Sequence, residues 1–250
     1  MILPNTFLES PIAHRGLHDR AQGRPENSIE AITAAIESGY GIEIDLQLSS
    51  DGVPMVFHDY DLGRLTGRQG AVARHSAKEL GAIPLLGGKH DIPTLADALN
   101  LVDGRTPLLI EIKDQDGAMG PNTGPLEQAT AQVLASYSGP VAVMSFNPFS
   151  MRAFAKAAPT LPIGLTTSDW KPEDWPTIPA RRCAELATLS DVFDVSAAFI
   201  SHDVADLTNP AVLALKKKGL PILCWTVTSP EQEAQARRVA DNITFEGYAA

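Results

Sequence analysis

The sequence predicts an α/β protein with a (β/α)8 (TIM) barrel, and three observations lead to this prediction. Short β-rich apolar runs alternate along the chain with helical patterns, which is typical of a parallel sheet built from βα units. Eight such runs occur within 250 residues, a length at which barrels usually form one domain. No G-x-G-x-x-G motif follows the first run, which argues against a dinucleotide-binding sheet. We therefore expect a single barrel domain over residues 1–250.

Each predicted strand is a short apolar run bounded by turn residues. In chain order the runs are PIAHR from Pro11, GIEIDLQL from Gly41, PLLIEIK from Pro107, VAVMSF from Val141, PIGLTT from Pro162, DVSAAFIS from Asp194, PILCWTV from Pro221 and NITFEG from Asn242. The intervening helices are expected to begin near Asn27, Pro93 or Thr94, Pro125, Pro148, Pro179, Asn209 and Pro230. At the first helix, Asn27 and Glu30 have the spacing of a capping box.

One segment interrupts this alternation after the second strand. The run VPMVFHD from Val53 to Asp59 predicts an additional extended segment, and the Gly-rich, basic stretch that follows predicts an insertion at residues 60–92. Connections of this length inside a compact barrel are usually functional lids or small subdomains. A lid and a surface decoration without function both remain open for this insertion.

Composition narrows the choice of partners and compartment. Acidic residues outnumber basic ones by 30 to 20, a formal charge of -10, which disfavours nucleic acid and anionic membranes as partners. Cys183 and Cys224 are far apart and form no Cys-x-x-Cys pair, so we expect neither a disulfide framework nor a zinc site. The first ten residues lack the pattern of a signal peptide, and no apolar run reaches membrane-spanning length. We expect a cytoplasmic protein; the sequence indicates no oligomeric state.

Three carboxylates are predicted at the mouth of the barrel. Glu43 and Asp45 lie two residues apart on one strand, so both side chains point to the same face. Glu111 and Lys113 repeat this spacing at the end of the next barrel strand, where barrel active sites form. Buried like charges require a compensating cation, and an oxygen-only ligand set favours Mg²⁺ or Ca²⁺ over zinc. The alternative is that Glu111 forms an ion pair with Lys113 or Arg15, while Glu43 and Asp45 face solvent at the end of their strand.

Two histidines are predicted at the same mouth. His14 ends the first strand beside Arg15, and His58 ends the additional extended segment after the second strand. Histidine titrates near neutral pH and therefore suits proton transfer at both ends of a displacement reaction. The other four histidines are expected to be solvated in loops or in the insertion, namely His18, His75, His90 and His202.

Together these residues resemble the glycerophosphodiester phosphodiesterase family. The resemblance covers nearly the whole chain, from about Pro11 to Val227, and it rests on the following motifs in family order: His14-Arg15-Gly16, Pro25-Glu26-Asn27-Ser28, Glu43-x-Asp45, Asp51-Gly52, Val56-Phe57-His58-Asp59, Leu65-Thr66-Gly67, Ile92-Pro93-Thr94-Leu95, Glu111-x-Lys113 and Trp225-Thr226-Val227. Two positions depart from the usual family pattern, Thr228 after the tryptophan motif and Glu246 at the end of the last strand.

The resemblance implies a function and a role for each site residue. It implies a barrel with a small insertion, a divalent metal, and hydrolysis of small-molecule glycerophosphodiesters to glycerol 3-phosphate and an alcohol. The implied roles are His14 and His58 as the acid/base pair, Glu43, Asp45 and Glu111 as metal ligands, and Arg15 and Lys113 as phosphate contacts.

The residues themselves agree with this chemistry. A phosphodiester resists attack, so its hydrolysis requires charge neutralisation, an activated nucleophile and protonation of the leaving group. Asp59 is positioned either to orient His58 or to serve in a turn or cap. Glu26 either holds Arg15 or a metal-bound water, or is a favourable charge at a helix start. Trp225 offers an apolar wall for the glycerol or alcohol group, or packs in the core.

Three other functions remain open from the sequence. A phospholipase D or sphingomyelinase D type enzyme acting on lysophospholipids would resemble this barrel and its histidine pair, but the chain has no amphipathic membrane-binding stretch. A metal-dependent sugar-phosphate isomerase or aldolase would share the fold without needing two opposed proton donors. A non-catalytic glycerophosphodiester-binding module would not require both His14 and His58.

Overall fold

The predicted barrel is present in the computed structural model, which describes all residues from Met1 to Ala250. Eight parallel strands close into a cylinder, and one additional strand pairs antiparallel with the carboxyl-terminal end of the second strand. Closure depends on the first strand, since Ile12 pairs with Gly41 on one side and with Thr244 on the other. The strands are β1 Ile12–Ala13, β2 Gly41–Leu48, the antiparallel β3 Pro54–Val56, β4 Leu108–Ile112, β5 Val141–Ser145, β6 Ile163–Thr167, β7 Phe199–Asp203, β8 Ile222–Val227 and β9 Asn242–Phe245.

Helices follow the strands as the alternating pattern predicts. They are α1 Thr6–Glu9, α2 Ile29–Glu37, α3 Gly63–Thr66, α4 Ala77–Leu80, α5 Leu95–Val102, α6 Pro125–Leu134, α7 Pro148–Ala157, α8 Ala180–Leu186, α9 Asp191–Asp194, α10 Pro210–Lys217 and α11 Pro230–Ala236. None of them combines the length and the apolar composition that a membrane-spanning helix requires.

Two hydrophobic clusters fill the barrel and its outer layer. The larger one comprises 37 buried residues between the strands and the surrounding helices. The smaller one closes the amino-terminal end of the barrel, where Phe7 of α1 packs among inward-facing strand residues such as Leu109 and Phe199. Gly164 is needed in this layer because a Cβ atom there would lie 2.4 Å from the Phe199 ring. The open end of the barrel is therefore the opposite one, where the strands finish.

Two local sequence predictions were wrong. The first long helix, α2, is capped by Ser28, whose hydroxyl accepts from the Ala31 amide, and not by Asn27. Asn27 instead has a left-handed backbone (φ 56°) and directs its side chain to Asp45. The predicted strand from Asp194 begins five residues later, at Phe199, because the first residues of that run form the end of α9 and a turn.

The predicted insertion packs with the preceding extended segment in a separate hydrophobic cluster. The buried members of this cluster are Met55, Phe57, Leu62, Leu65, Val72, Leu80, Ile83, Leu85 and Ile92. The insertion is also tied to α2, since Glu30 accepts hydrogen bonds from the backbone amides of Lys89 and His90. These contacts hold the segment against the mouth of the barrel.

Candidate active site

All the site residues predicted from the sequence line one cavity at the carboxyl ends of the strands. The cavity has a volume of about 120 Å³ and is lined by His14, Arg15, Glu43, Asp45, His58, Glu111, Lys113, Met144, Phe146, Thr166, Trp225, Thr226 and Thr244. The convergence follows from parallel pairing, because Asp45 lies opposite Glu111 in the register of β2 and β4. This is the end of the barrel at which enzymes of this fold place their reactive groups.

Three buried carboxylates form the floor of the site. One ligand atom from each of Glu43, Asp45 and Glu111 lies within 4.8 Å of the others, and none of the three residues is more than 6% exposed. Burial, together with the charges of Asp45 and Glu111, raises the pKa of Glu43 well above its ordinary value. The site therefore carries a concentration of negative charge for which a cation is the natural complement.

Two basic side chains lie against these carboxylates. The Lys113 Nζ atom is 2.7 Å from Glu111 Oε1 and 3.4 Å from Asp45 Oδ1. The Arg15 Nε atom is 3.3 Å from Asp45 Oδ2, while the Arg15 backbone amide donates to Glu43 at 2.9 Å. Burial alone would raise the pKa of Asp45, but the charges of Lys113, His58 and Arg15 hold it below its ordinary value. The ion pair between Lys113 and Glu111 is thus present. The alternative that Glu43 and Asp45 face solvent was wrong, since both are buried.

Each predicted catalytic histidine is held by a carboxylate. His14 Nδ1 lies 2.7 Å from Glu246 Oε2, and His58 Nδ1 lies 2.7 Å from Asp59 Oδ1. In both rings Nε2 makes no hydrogen bond within the protein. A carboxylate at Nδ1 favours a proton on that atom, which leaves Nε2 as the atom that exchanges protons. Burial lowers the pKa of His58 from its ordinary value, against the opposing effect of Asp45.

A basic residue from the insertion joins this network. Arg64, in α3, makes hydrogen bonds with both Asp59 and Glu26, and Glu26 in turn accepts from Arg15 Nη1 at 2.7 Å. Glu26 therefore holds Arg15, which is one of the sequence interpretations. Sequence reasoning missed Arg64, although it directly precedes the Leu65-Thr66-Gly67 motif and lies five residues after Asp59.

Aromatic side chains form one wall of the cavity. The Trp225 and Phe146 rings meet edge to face with centroids 5.3 Å apart, and Trp225 Nε1 donates to the Ser201 carbonyl. Behind them, Phe146 also contacts the rings of Trp170 and Trp175. Trp225 is thus fixed in place with its ring at the cavity.

Some predictions about polar residues need correction. His202 is fully buried, and its ring contacts Thr167 Oγ1 and Asp206, so the prediction that it is solvated was wrong. His18 lies beside the site, with Nε2 3.3 Å from Glu246 Oε2. Thr228 does not line the cavity; its amide and hydroxyl donate to Gln232.

The barrel and its site define a class of protein, a hydrolase that acts on phosphodiesters. The sequence matches the glycerophosphoryl diester phosphodiesterase family over residues 14–242, and the chain belongs to this family. The "Glycerophosphodiester phosphodiesterase" of Caldanaerobacter subterraneus is 30% identical over 230 residues, which cover 88% of this chain and 86% of that protein.

Solved structures show the same fold. An Oleispira antarctica phosphodiesterase in complex with the product sn-glycerol-3-phosphate has a TM-score of 0.77 at 24% identity, covering 96% of this chain and 94% of that one. A glycerophosphodiester phosphodiesterase from Thermotoga maritima has a TM-score of 0.71 at 24% identity, with 95% and 94% of the two chains covered. At this level of identity the two structures establish the barrel architecture of the chain.

Proposed function

We propose that this protein hydrolyses glycerophosphodiesters to glycerol 3-phosphate and an alcohol with the help of a divalent cation. The observation that carries the proposal is the convergence of two histidines, three carboxylates and two basic groups on one cavity. Hydrolysis of a phosphodiester uses all of these groups, because it needs proton transfer to the leaving group and from the attacking group, and neutralisation of the charge on the phosphate. An isomerase or aldolase would leave the second histidine without a role.

The buried carboxylates suit one hard divalent cation. Glu43, Asp45 and Glu111 supply only oxygen ligands, the donor set that Mg²⁺ and Ca²⁺ prefer over softer metals. Burial and then the charges of Asp45 and Glu111 raise the pKa of Glu43, and a bound cation would offset both effects. When bound, the cation stabilises the negative charge that develops on the phosphoryl oxygens.

Arg15 and Lys113 position the phosphate. Each contacts the carboxylate cluster with its charged group and also lines the cavity, so an anionic ligand in the cavity lies within reach of both. Three carboxylates outnumber these two cations, which means that an anionic substrate is favoured only after the metal has reversed the local charge. Metal binding and substrate binding are therefore expected to be coupled.

The two histidines divide the proton transfers between them. We assign His14 as the base that removes a proton from the attacking oxygen, either that of water or that of the neighbouring glycerol hydroxyl. We assign His58 as the acid that protonates the departing alkoxide through Nε2, with Asp59 holding Nδ1. Trp225 and Phe146 form an apolar wall of the cavity for the glycerol or the alcohol group.

The remaining predictions concern organisation and location. We propose that residues 1–250 act as one barrel domain and that residues 60–92 are an insertion that shapes the entrance to its site. The substrate is a small molecule, and neither nucleic acid nor stable membrane association forms part of the proposal. Cytoplasmic location stays a prediction, supported by two buried cysteines that are not paired with each other.

One experiment tests the proposed reaction. Purified protein is incubated with glycerophosphocholine, glycerophosphoethanolamine and glycerophosphoglycerol, each with Mg²⁺, Ca²⁺ or a chelator, and glycerol 3-phosphate is measured. We expect glycerol 3-phosphate from at least one diester, and only when a divalent cation is present. Cleavage of lysophosphatidylcholine without cleavage of any deacylated diester would instead identify a phospholipase D type activity.

A further inference from the structure

The guanidinium of Arg64 makes two paired sets of hydrogen bonds. Nε and Nη2 donate to the two oxygens of Asp59 at 2.7 and 2.8 Å. Nη1 and Nη2 donate to the two oxygens of Glu26 at 2.6 and 2.8 Å. Bidentate geometry of this kind requires the planar fork of arginine, and a lysine ammonium cannot reproduce it on two carboxylates at once.

Each of these carboxylates has a second partner that lines the cavity. The Asp59 Oδ1 atom lies 2.7 Å from His58 Nδ1, and the Glu26 Oε1 atom accepts from Arg15 Nη1 at 2.7 Å. Two parallel chains of contacts therefore run from Arg64, one through Asp59 to His58 and the other through Glu26 to Arg15. His58 and Arg15 come from different parts of the barrel, and Arg64 is the group that links them.

Arg64 itself is held in place by the insertion. It lies in α3 between Leu62 and Leu65, which are 1% and 7% exposed within the hydrophobic cluster of that segment. Gly67 ends the helix in the left-handed conformation (φ 70°), which a larger residue adopts only with strain. The backbone that carries Arg64 is thus fixed by packing, although about half of its side chain (48%) is exposed.

We propose that Arg64 is a positioning residue that orients His58 and Arg15 simultaneously, so that the insertion at residues 60–92 completes the active site. The proposal rests on the proposed function, which gives His58 and Arg15 their roles. Without Arg64, Asp59 loses the partner that fixes both of its oxygens, and Glu26 is left with Arg15 alone. The His58 ring and the Arg15 guanidinium then occupy a wider range of orientations.

Kinetics of Arg64→Gln and Arg64→Lys separate the two chains of contacts. Arg68→Gln is the matched control, because Arg68 is an exposed arginine of the same insertion whose side chain has no ion pair. We expect Arg64→Gln to lower kcat on an alkyl glycerophosphodiester by about 10-fold to 100-fold through misorientation of His58. With an aryl diester, which hardly needs the acid, kcat should fall less than with the alkyl diester. KM should rise by a similar factor for both substrates, because Arg15 is displaced in either case. Arg64→Lys should not restore kcat on the alkyl diester.

A second measurement reports on the ring directly. In wild-type protein the ¹⁵N chemical shifts of neutral His58 should show the proton on Nδ1, and in Arg64→Gln a mixture of both tautomers. The Tm of each variant is measured first, so that a general loss of folding is recognised as a lowered Tm. The kinetics are then compared at a temperature well below every Tm. Equal kinetics and an unchanged His58 tautomer in Arg64→Gln and Arg68→Gln would overturn the inference. Inactivity of the wild type on every glycerophosphodiester would refute the proposed function instead.

Discussion

His14 Nδ1 lies 2.7 Å from Glu246 Oε2, although 232 residues separate the two in the chain. The contact depends on closure of the barrel, because β1 pairs with β9 and brings Ala13 opposite Phe245. The second histidine has its carboxylate as its immediate neighbour, since Asp59 follows His58 directly. One histidine is therefore oriented by a local contact and the other by the closing strand pair.

We expect Glu246→Gln to lower kcat by about 10-fold to 100-fold, because a neutral amide no longer fixes the proton on His14 Nδ1. The loss should be similar for alkyl and aryl diesters, since His14 is assigned as the base. Steady-state kinetics on both substrates measure this, with Glu231→Gln as an exposed control on α11. Wild-type rates in Glu246→Gln would contradict the orienting role.

The roles of the two histidines are distinguished by the leaving group. A general acid contributes about 10² to 10⁴ to the rate when an alkoxide departs, and little when a stable phenolate departs. His58→Ala should therefore nearly abolish cleavage of the alkyl diester but keep much of the activity on an aryl diester. His14→Ala should lose activity on both. Selective survival of aryl activity in His14→Ala alone would show that the assignments are reversed.

Metal dependence is tested at the carboxylate floor. Glu43→Gln removes one proposed ligand with little change in volume, and we expect kcat to fall by at least about 100-fold. Chelation of the wild type should abolish turnover, and added Mg²⁺ or Ca²⁺ should restore it in the wild type alone. The control is Glu37→Gln, at an exposed position of α2. Full activity in chelator would eliminate the metal from the mechanism.

Asp59 should make stability depend on pH in the acidic range. Hydrogen bonds from Arg64 and His58 overcome the effect of burial and lower its pKa from 3.8 to about 2 in the folded protein. The folded-state pKa is depressed, so the stabilisation is present above the unfolded value and is lost as pH falls toward the folded value. Asp59→Asn should therefore cost more unfolding free energy at about pH 6 than at about pH 2.5. Urea denaturation at both values measures it, and an equal cost would contradict the prediction.

The cluster in the insertion should contribute measurably to stability. Leu80 is fully buried there, and Leu80→Ala should cost about 2 to 5 kcal/mol in free energy of unfolding. Leu213 on α10 is 43% exposed, so Leu213→Ala should change stability by less than about 0.5 kcal/mol. Urea denaturation of both variants makes the comparison. A cost below about 0.5 kcal/mol for Leu80→Ala would mean that the insertion folds without this cluster.

The sequence by itself determined the barrel and the polar residues at its mouth. Side chains alternate between the two faces of a strand, so Glu43 and Asp45 point to the same face of β2 independently of the rest of the chain. The ends of parallel strands meet at one end of a barrel, so strand order alone predicts that His14, Glu111 and Lys113 lie together, as they do around the cavity. These predictions succeeded because they depend on backbone geometry that is local to each strand or common to all parallel sheets.

Only the tertiary structure decided which partner each of these residues has. Asn27 has the spacing of a helix cap, but Asp45 takes its side chain, and the neighbouring Ser28 caps the helix. Glu246 contacts His14 through the closing strand pair. Arg64 reaches Glu26 and Asp59 because the insertion packs against the preceding extended segment in one hydrophobic cluster. Such contacts join side chains that are distant in sequence, and their geometry is fixed by packing of the whole chain, which no local pattern records.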